Sequence, residues 1–474
     1  MNTKLKVKLS FCLSFVFLLI CNPLFSNQII STKDDLNEIS ITIYNGGFGI
    51  IKEKRNLELP KGDLEIHYMD VASKIDPTSV HFKSITSPEK VIILEQNYEY
   101  DLISPLKLLE KYVGKDVKLL MTTEQGREIW RDAQLLSIND GSVFKIDNQI
   151  YLFRGDQVIL PKIPENLIAK PTLIWLVNCR NEKIHETEVT YMTEGINWKA
   201  DYVAVVNHDD SGLDLDGWVT IDNRSGGEFP NAKLKLVAGD VHRVEKKRDR
   251  FDYRYAAKAM MSEAAEPQFE QRDLFEYKIY QLQRKTTIKD NQTKQMMLLS
   301  SSNIKAKKIF LIKNKNFYSY QFNDVNKIKA KVMMEFVNSK ENNLGMPLPK
   351  GKVRAFKRDI DGSIEFIGED EIDHTPKDEK LEILLGNAFD IISEKKQTNF
   401  RRMGDSTFEA SYEIEIRNHK TTNVVVKVVE YIYGDWRIFD NNYKFEKKTA
   451  NSIEFNIPVS PDGKAIVNYT VRVN

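Results

Sequence analysis

A chain of 474 residues is too long for one compact core and predicts about three domains at ~150 residues each. Its 69 lysines and arginines offset 68 aspartates and glutamates, leaving a formal net charge of +1. Bulk charge therefore argues neither for a nucleic-acid polyanion nor for an acidic membrane surface as the main partner.

The first 26 residues read as an export signal. Lys4, Lys6 and Lys8 give a basic start, residues 9–20 are apolar but too short to span a bilayer comfortably, and Pro23 and Ser26 follow. Ile20 is bulky where a lipid-attachment site wants a small residue before Cys21, so cleavage near Ser26 is expected in preference to lipid anchoring. The expected location is the periplasm or the extracellular space. No later segment offers the ~20 apolar residues of a membrane helix. Cys12 and Cys21 fall in the leader, which leaves Cys179 alone and no internal disulfide.

After the leader, apolar residues recur with a period of two. Ile39, Ile41 and Ile43, then Leu64, Ile66 and Tyr68, describe half-buried strands separated by turns at Asn45-Gly46-Gly47 and Pro60-Lys61-Gly62. Residues 27–95 thus read as a small β domain. Ser104-Pro105 opens a helix carrying Leu106, Leu108, Leu109 and Tyr112, and Gly114 stops it. Short strands follow, with tight turns at 139–141 and Asp147-Asn148, so residues 96–165 are expected to form a helix plus a small Sm-like or SH3-like barrel.

Pro161 and Pro164 mark the exit. Residues 166–327 show strands at sandwich spacing, interrupted at 243–271 by a charged excursion around an alanine-rich patch. In this region Cys179 alternates with Leu173, Trp175 and Val177, which predicts a buried, inert thiol. Residues 328–474 carry the clearest alternation, with Val424, Val426 and Val428, then Ile453, Phe455 and Ile457, and a hairpin turn at Asp361-Gly362. The fold class is therefore mainly β: tandem immunoglobulin-like sandwiches with a small barrel and a few short helices.

Several words in the chain carry a family resemblance. They include Trp198-Lys199-Ala200-Asp201-Tyr202, Val237-Ala238-Gly239-Asp240, His374-Thr375-Pro376-Lys377-Asp378-Glu379, Leu385-Gly386-Asn387-Ala388-Phe389-Asp390 and Gly434-Asp435-Trp436. Over about 165–474 the chain resembles exported bacterial proteins with a domain of unknown function shared with mucoidy inhibitor A-like proteins. The resemblance implies no catalytic residues. The chain differs from the mucoidy inhibitor pattern in having a small barrel and no long heptad segment.

No zinc-protease helix, phosphate-cradling glycine loop, nucleophile elbow or paired-cysteine box is present, so no cofactor and no metal are expected and an enzyme is the less favoured reading. His185-Glu186-Thr187-Glu188 places its imidazole opposite both glutamates on a strand, which reads as a solvated strand edge. The acidic turn around Asp209 and Asp210 fails the calcium-loop spacing. The densest polar cluster is Asp370, Glu371, Asp373 and His374, in which Asp370 and His374 share a strand face. Asp370, Asp373 and His374 are thus the candidate binding residues, with Lys377 and Lys380 placed to neutralise the acids. The expected work is non-catalytic binding or organisation in the envelope, with an envelope protein or polysaccharide as partner and no nucleic acid. An envelope hydrolase, and a subunit assembling through strand edges, are the alternatives.

Overall fold

The computed structural model describes residues 27–99, 104–122, 126–139, 141–153, 157–162, 170–243, 268–315, 326–404 and 407–474. The expected leader and most of the charged excursion lie outside them. The chain is mainly β, with several multi-stranded sheets, none closed, and little helix. Its described residues form two compact units that interleave in sequence: those within 1–36, 55–71 and 83–188 build the first, and those within 37–54, 72–82 and 189–474 the second.

In the first unit, Asn27–Ser31 lies parallel to Gly62–Met69, which pairs antiparallel with Thr172–Cys179, which in turn pairs with the edge strand Val91–Glu99. Register explains the core. Leu64 lies opposite Val177, Ile66 opposite Trp175 and Tyr68 opposite Leu173, and all six are buried. Each contributes roughly 2 kcal/mol by leaving water. Tyr68 meets the Trp175 ring edge-on at 5.8 Å, with the Arg55 guanidinium 3.5 Å from the Tyr68 ring centre. Cys179 is buried on this same face, as its alternation requires.

The helix Pro105–Tyr112 starts where Ser104 Oγ accepts from the Lys107 amide at 3.2 Å. Five antiparallel strands follow, Asp116–Thr122, Glu128–Ser137, Ser142–Ile146, Gln149–Phe153 and Val158–Ile159. They form an open sheet around Tyr112, Leu119, Leu135 and Phe144. Asp147 and Asn148 both adopt positive φ, the two-residue hairpin that their identities favour.

In the second unit, Leu36–Tyr44 pairs in parallel with Phe229–Ala238, and Phe269–Leu274 pairs with Tyr277–Leu282. The large sheet runs from Ile364–Ile372 through Gly351–Arg358, Ile196–Val206, Gly212–Asn223 and the 24-residue strand Gln292–Lys315. It continues through Asn326–Val337, Lys380–Arg402, Phe408–Asn418 and Gly463–Val473 to Trp436–Asn441. The end of Gln292–Lys315 also pairs in parallel with Val424–Tyr431, whose antiparallel neighbour is Ser452–Val459. Their inward residues, Val426, Val428, Phe455 and Ile457, share a core with Ile414, Ile416, Val467 and Val471. Asp361-Gly362 turns the hairpin between Gly351–Arg358 and Ile364–Ile372, with Gly362 at φ +87°.

Candidate functional site

The second unit carries a polar cleft beside its parallel strand pair. Ile196–Val206 alternates strictly at its start: Trp198, Ala200 and Tyr202 are buried in the core, while Asn197 and Lys199 are exposed. Gly351–Arg358 runs parallel to it, with Ala200 opposite Gly351 and Asp201 opposite Lys352. Glycine is needed at 351 because a Cβ there would stand 2.2 Å from the Ala200 carbonyl oxygen.

Buried aromatic hydroxyls hold the approach to that strand. Tyr202 donates to Pro349 O and Tyr280 to Pro347 O, both at 2.8 Å, and Leu348 and Thr375 exchange backbone hydrogen bonds. The Trp198 indole donates to Val237 O at 3.1 Å. These anchors leave a cavity of about 280 Å³ lined by Asn45, Asn197, Lys199, Lys352, Glu371 and His374, among others.

His374 is half-buried. Its Nδ1 accepts from the Lys350 amide at 3.1 Å and its Nε2 lies 3.4 Å from Asn45 Nδ2. Burial, reinforced by Lys350, holds its pKa below the usual histidine range against the opposing charges of Asp240 and Asp373. The ring is therefore neutral and presents a hydrogen-bonding edge rather than a charge near neutral pH.

The other two candidates go elsewhere. Asp370 Oδ2 accepts from the Leu384 amide at 2.7 Å and Oδ1 from the Glu371 amide at 2.9 Å, so its carboxylate ties two strands together. Asp373 is exposed, with the Lys350 ammonium 3.9 Å away. Of the three, His374 alone is among the cleft-lining residues. Lys380, expected to neutralise this cluster, pairs instead with Glu335 and Glu382.

Asp201 belongs to the site although sequence reasoning did not select it. It is nearly buried, accepts from Thr220 Oγ1 at 2.8 Å and lies 3.8 Å from the Arg354 guanidinium. Lys352 pairs with Glu369 at 3.2 Å. Asp201 and Glu369 are thus committed to neighbours, and the His374 ring nitrogens face the Lys350 backbone amide and the Asn45 side-chain amide. No family model and no curated protein matches the chain. The cleft has therefore to be read from its chemistry, hydrogen-bond donors and acceptors lined up along one strand pair.

A second polar group corrects an expectation. His185 is fully buried, not a solvated edge, because it continues the inward phase of Thr187, Val189 and Tyr191. Its Nδ1 lies 2.9 Å from Ser84 Oγ and its Nε2 3.8 Å from Cys179 Sγ, and the thiol donates to Asn181 O at 2.9 Å. Burial pulls the His185 pKa below its ordinary value. Both Cys179 and His185 are enclosed, so this thiol and imidazole pack the core rather than face a substrate. Asp210, in the acidic turn, is held by Lys308 and Lys357. Among the described residues, no three His, Cys, Asp or Glu side chains gather as a metal-holding group, and no helix is long and apolar enough to cross a membrane.

Proposed function

We propose that the protein is exported and works in the bacterial envelope as a non-catalytic binding or organising module. The observation that carries this reading is the cleft at the parallel strand pair. Its size lies at the small end of ligand sites, and its lining combines lysines, two carboxylates, two amides and a neutral imidazole. That mixture suits a hydroxyl- or amide-rich segment such as part of an envelope polysaccharide or an extended peptide. Export rests on the basic start and the apolar run of residues 9–20.

The test is equilibrium binding of the purified protein to solubilised envelope glycan and peptide fragments. Lys199→Ala and Lys352→Ala should each weaken retention by about fivefold or more while leaving the denaturation midpoint unchanged, the usual scale for losing a charge-assisted hydrogen bond. Release of cleaved fragments would favour the hydrolase. A second reading, assembly through strand edges, draws on Val91–Glu99, an edge strand on which Ile92, Ile93 and Leu94 are all exposed. Concentration-dependent self-association abolished by Ile93→Lys would favour it.

A further inference from the structure

The C-terminal sandwich buries a lysine, a glutamate and an asparagine together in a mostly apolar core. Glu430 is fully buried, Asn314 is 2% exposed and Lys395 7%. They come from three strands. Asn314 on Gln292–Lys315 lies directly opposite Glu430 on the parallel strand Val424–Tyr431, and Lys395 reaches Glu430 from Lys380–Arg402.

One carboxylate bridges the other two groups. The Lys395 ammonium sits on Glu430 Oε2, and Asn314 Nδ2 lies 2.7 Å from Oε1. Tyr469 donates to Oε2 at 2.7 Å and lies 3.3 Å from the amine. Tyr412, stacked on Tyr469 at 5.3 Å, places its ring centre 4.5 Å from the same nitrogen. Burial draws the Lys395 pKa below the usual lysine range, with Glu430 opposing.

A buried ion pair of this kind is costly to desolvate and is weak evidence of stabilisation in itself. A second observation concerns the amide. Asn314 Oδ1 is buried with no hydrogen-bond partner among the described residues, while Asn314 Nδ2, the Lys395 amine and both Glu430 oxygens each have one. An amine, an acid–base group and an acyl group with an unsatisfied oxygen are thus enclosed together away from water.

We propose that Lys395 and Asn314 join in an intramolecular isopeptide bond, with Glu430 as the acid–base group. Lys395 passes one proton to Glu430, and the resulting neutral amine attacks Cγ of the Asn314 side-chain amide. The protonated Glu430 donates to the amide oxygen once the side-chain amide turns over, satisfying the atom that now lacks a partner. The Nζ–Cγ bond forms, the Cγ–Nδ2 bond breaks, and a second proton from Nζ reaches the departing nitrogen through Glu430. Ammonia leaves, and the charges of Lys395 and Glu430 are replaced by a neutral amide and a neutral carboxylic acid. No oxidant, metal or co-reactant enters the balance. The product is a covalent tie across the core, independent of what the cleft binds.

Intact-mass measurement of the purified, folded full chain tests this directly. The expected result is a mass lower than that of the sequence by one ammonia, with tryptic mapping placing the loss in a branched peptide that joins the Asn314 and Lys395 segments. Lys395→Arg and Glu430→Gln should each restore the full mass. Should both variants fail to fold, the unmodified chain still decides, because it needs no substitution. A full mass in the folded protein, a loss mapped to another position, or a loss of one water joining Lys395 to Glu430 would each overturn the proposal.

Discussion

Replacing Gly351 by alanine isolates the contact on which the cleft depends. The new Cβ would stand 2.2 Å from the Ala200 carbonyl oxygen, 2.8 Å from its carbon and 3.0 Å from Tyr202 Cε2. Carbon and oxygen settle no closer than about 3.3 Å, so the two strands must part by about 1 Å. The obstacle is backbone, which cannot swing aside as a side-chain tip can. Weakening two ladder hydrogen bonds costs about 1 kcal/mol each, and overpacking adds about 1–3 kcal/mol. A destabilisation of about 3 kcal/mol, roughly a hundredfold in the equilibrium, is therefore expected. Urea denaturation combined with native-state hydrogen exchange at Ile196–Val206 and Gly351–Arg358 would measure it, since a chain of two units need not unfold in one step. Gly362→Ala is the comparison: φ is +87° with nothing within 4 Å, so its cost is backbone strain of about 1–2 kcal/mol. If Gly351→Ala proves no worse than Gly362→Ala, the crowding argument is wrong.

Asp370→Ala removes the acceptor of the Leu384 and Glu371 amides and should cost about 1–3 kcal/mol. Asp373→Ala should change stability by less than about 0.5 kcal/mol, and equal effects in denaturant titrations would contradict the two placements. Cys179 should react slowly with a thiol reagent in the native protein and fast after denaturation, and rapid native labelling would revive a nucleophilic role for the Cys179–His185 pair. His185 and His374 both have lowered pKa values in the folded state. Unfolded chains therefore bind more protons than folded ones once pH falls below about 6.5. The stability they contribute is present above that pH and lost as pH falls through their folded values, so melting temperatures should decline from about pH 7 to about pH 5. A flat or rising profile would count against this.

Strand after strand was legible because alternation is a local signal. Val424, Val426 and Val428 announce an inward face, and the Asp147-Asn148 and Asp361-Gly362 turns fall where those residue types accept positive φ. The same phase carries two further signals. Glu430 continues the series from Val428 inward, and His185 keeps step with Val189 and Tyr191, so polar residues at buried positions marked both clusters in advance. Partnership was not legible. Period-two patterning says which way a side chain points but not which distant strand lies alongside, so neither the pairing of Ala200 with Gly351 nor the commitment of Asp370 to Leu384 was available. The interleaving of the two units was hidden for the same reason.

That interleaving bears on the order in which the chain can reach its final form. Ser40 pairs with Lys233, Ala200 with Gly351 and Phe310 with Val426, each in a parallel ladder that closes a very long loop. A chain emerging from its N-terminus presents Leu36–Tyr44 long before Phe229–Ala238 exists to receive it. Such late, non-local closure makes for slow folding and leaves strand edges exposed meanwhile. Under the export proposed above, this delay would ease translocation, because a strand made before its distant parallel partner cannot yet close that ladder.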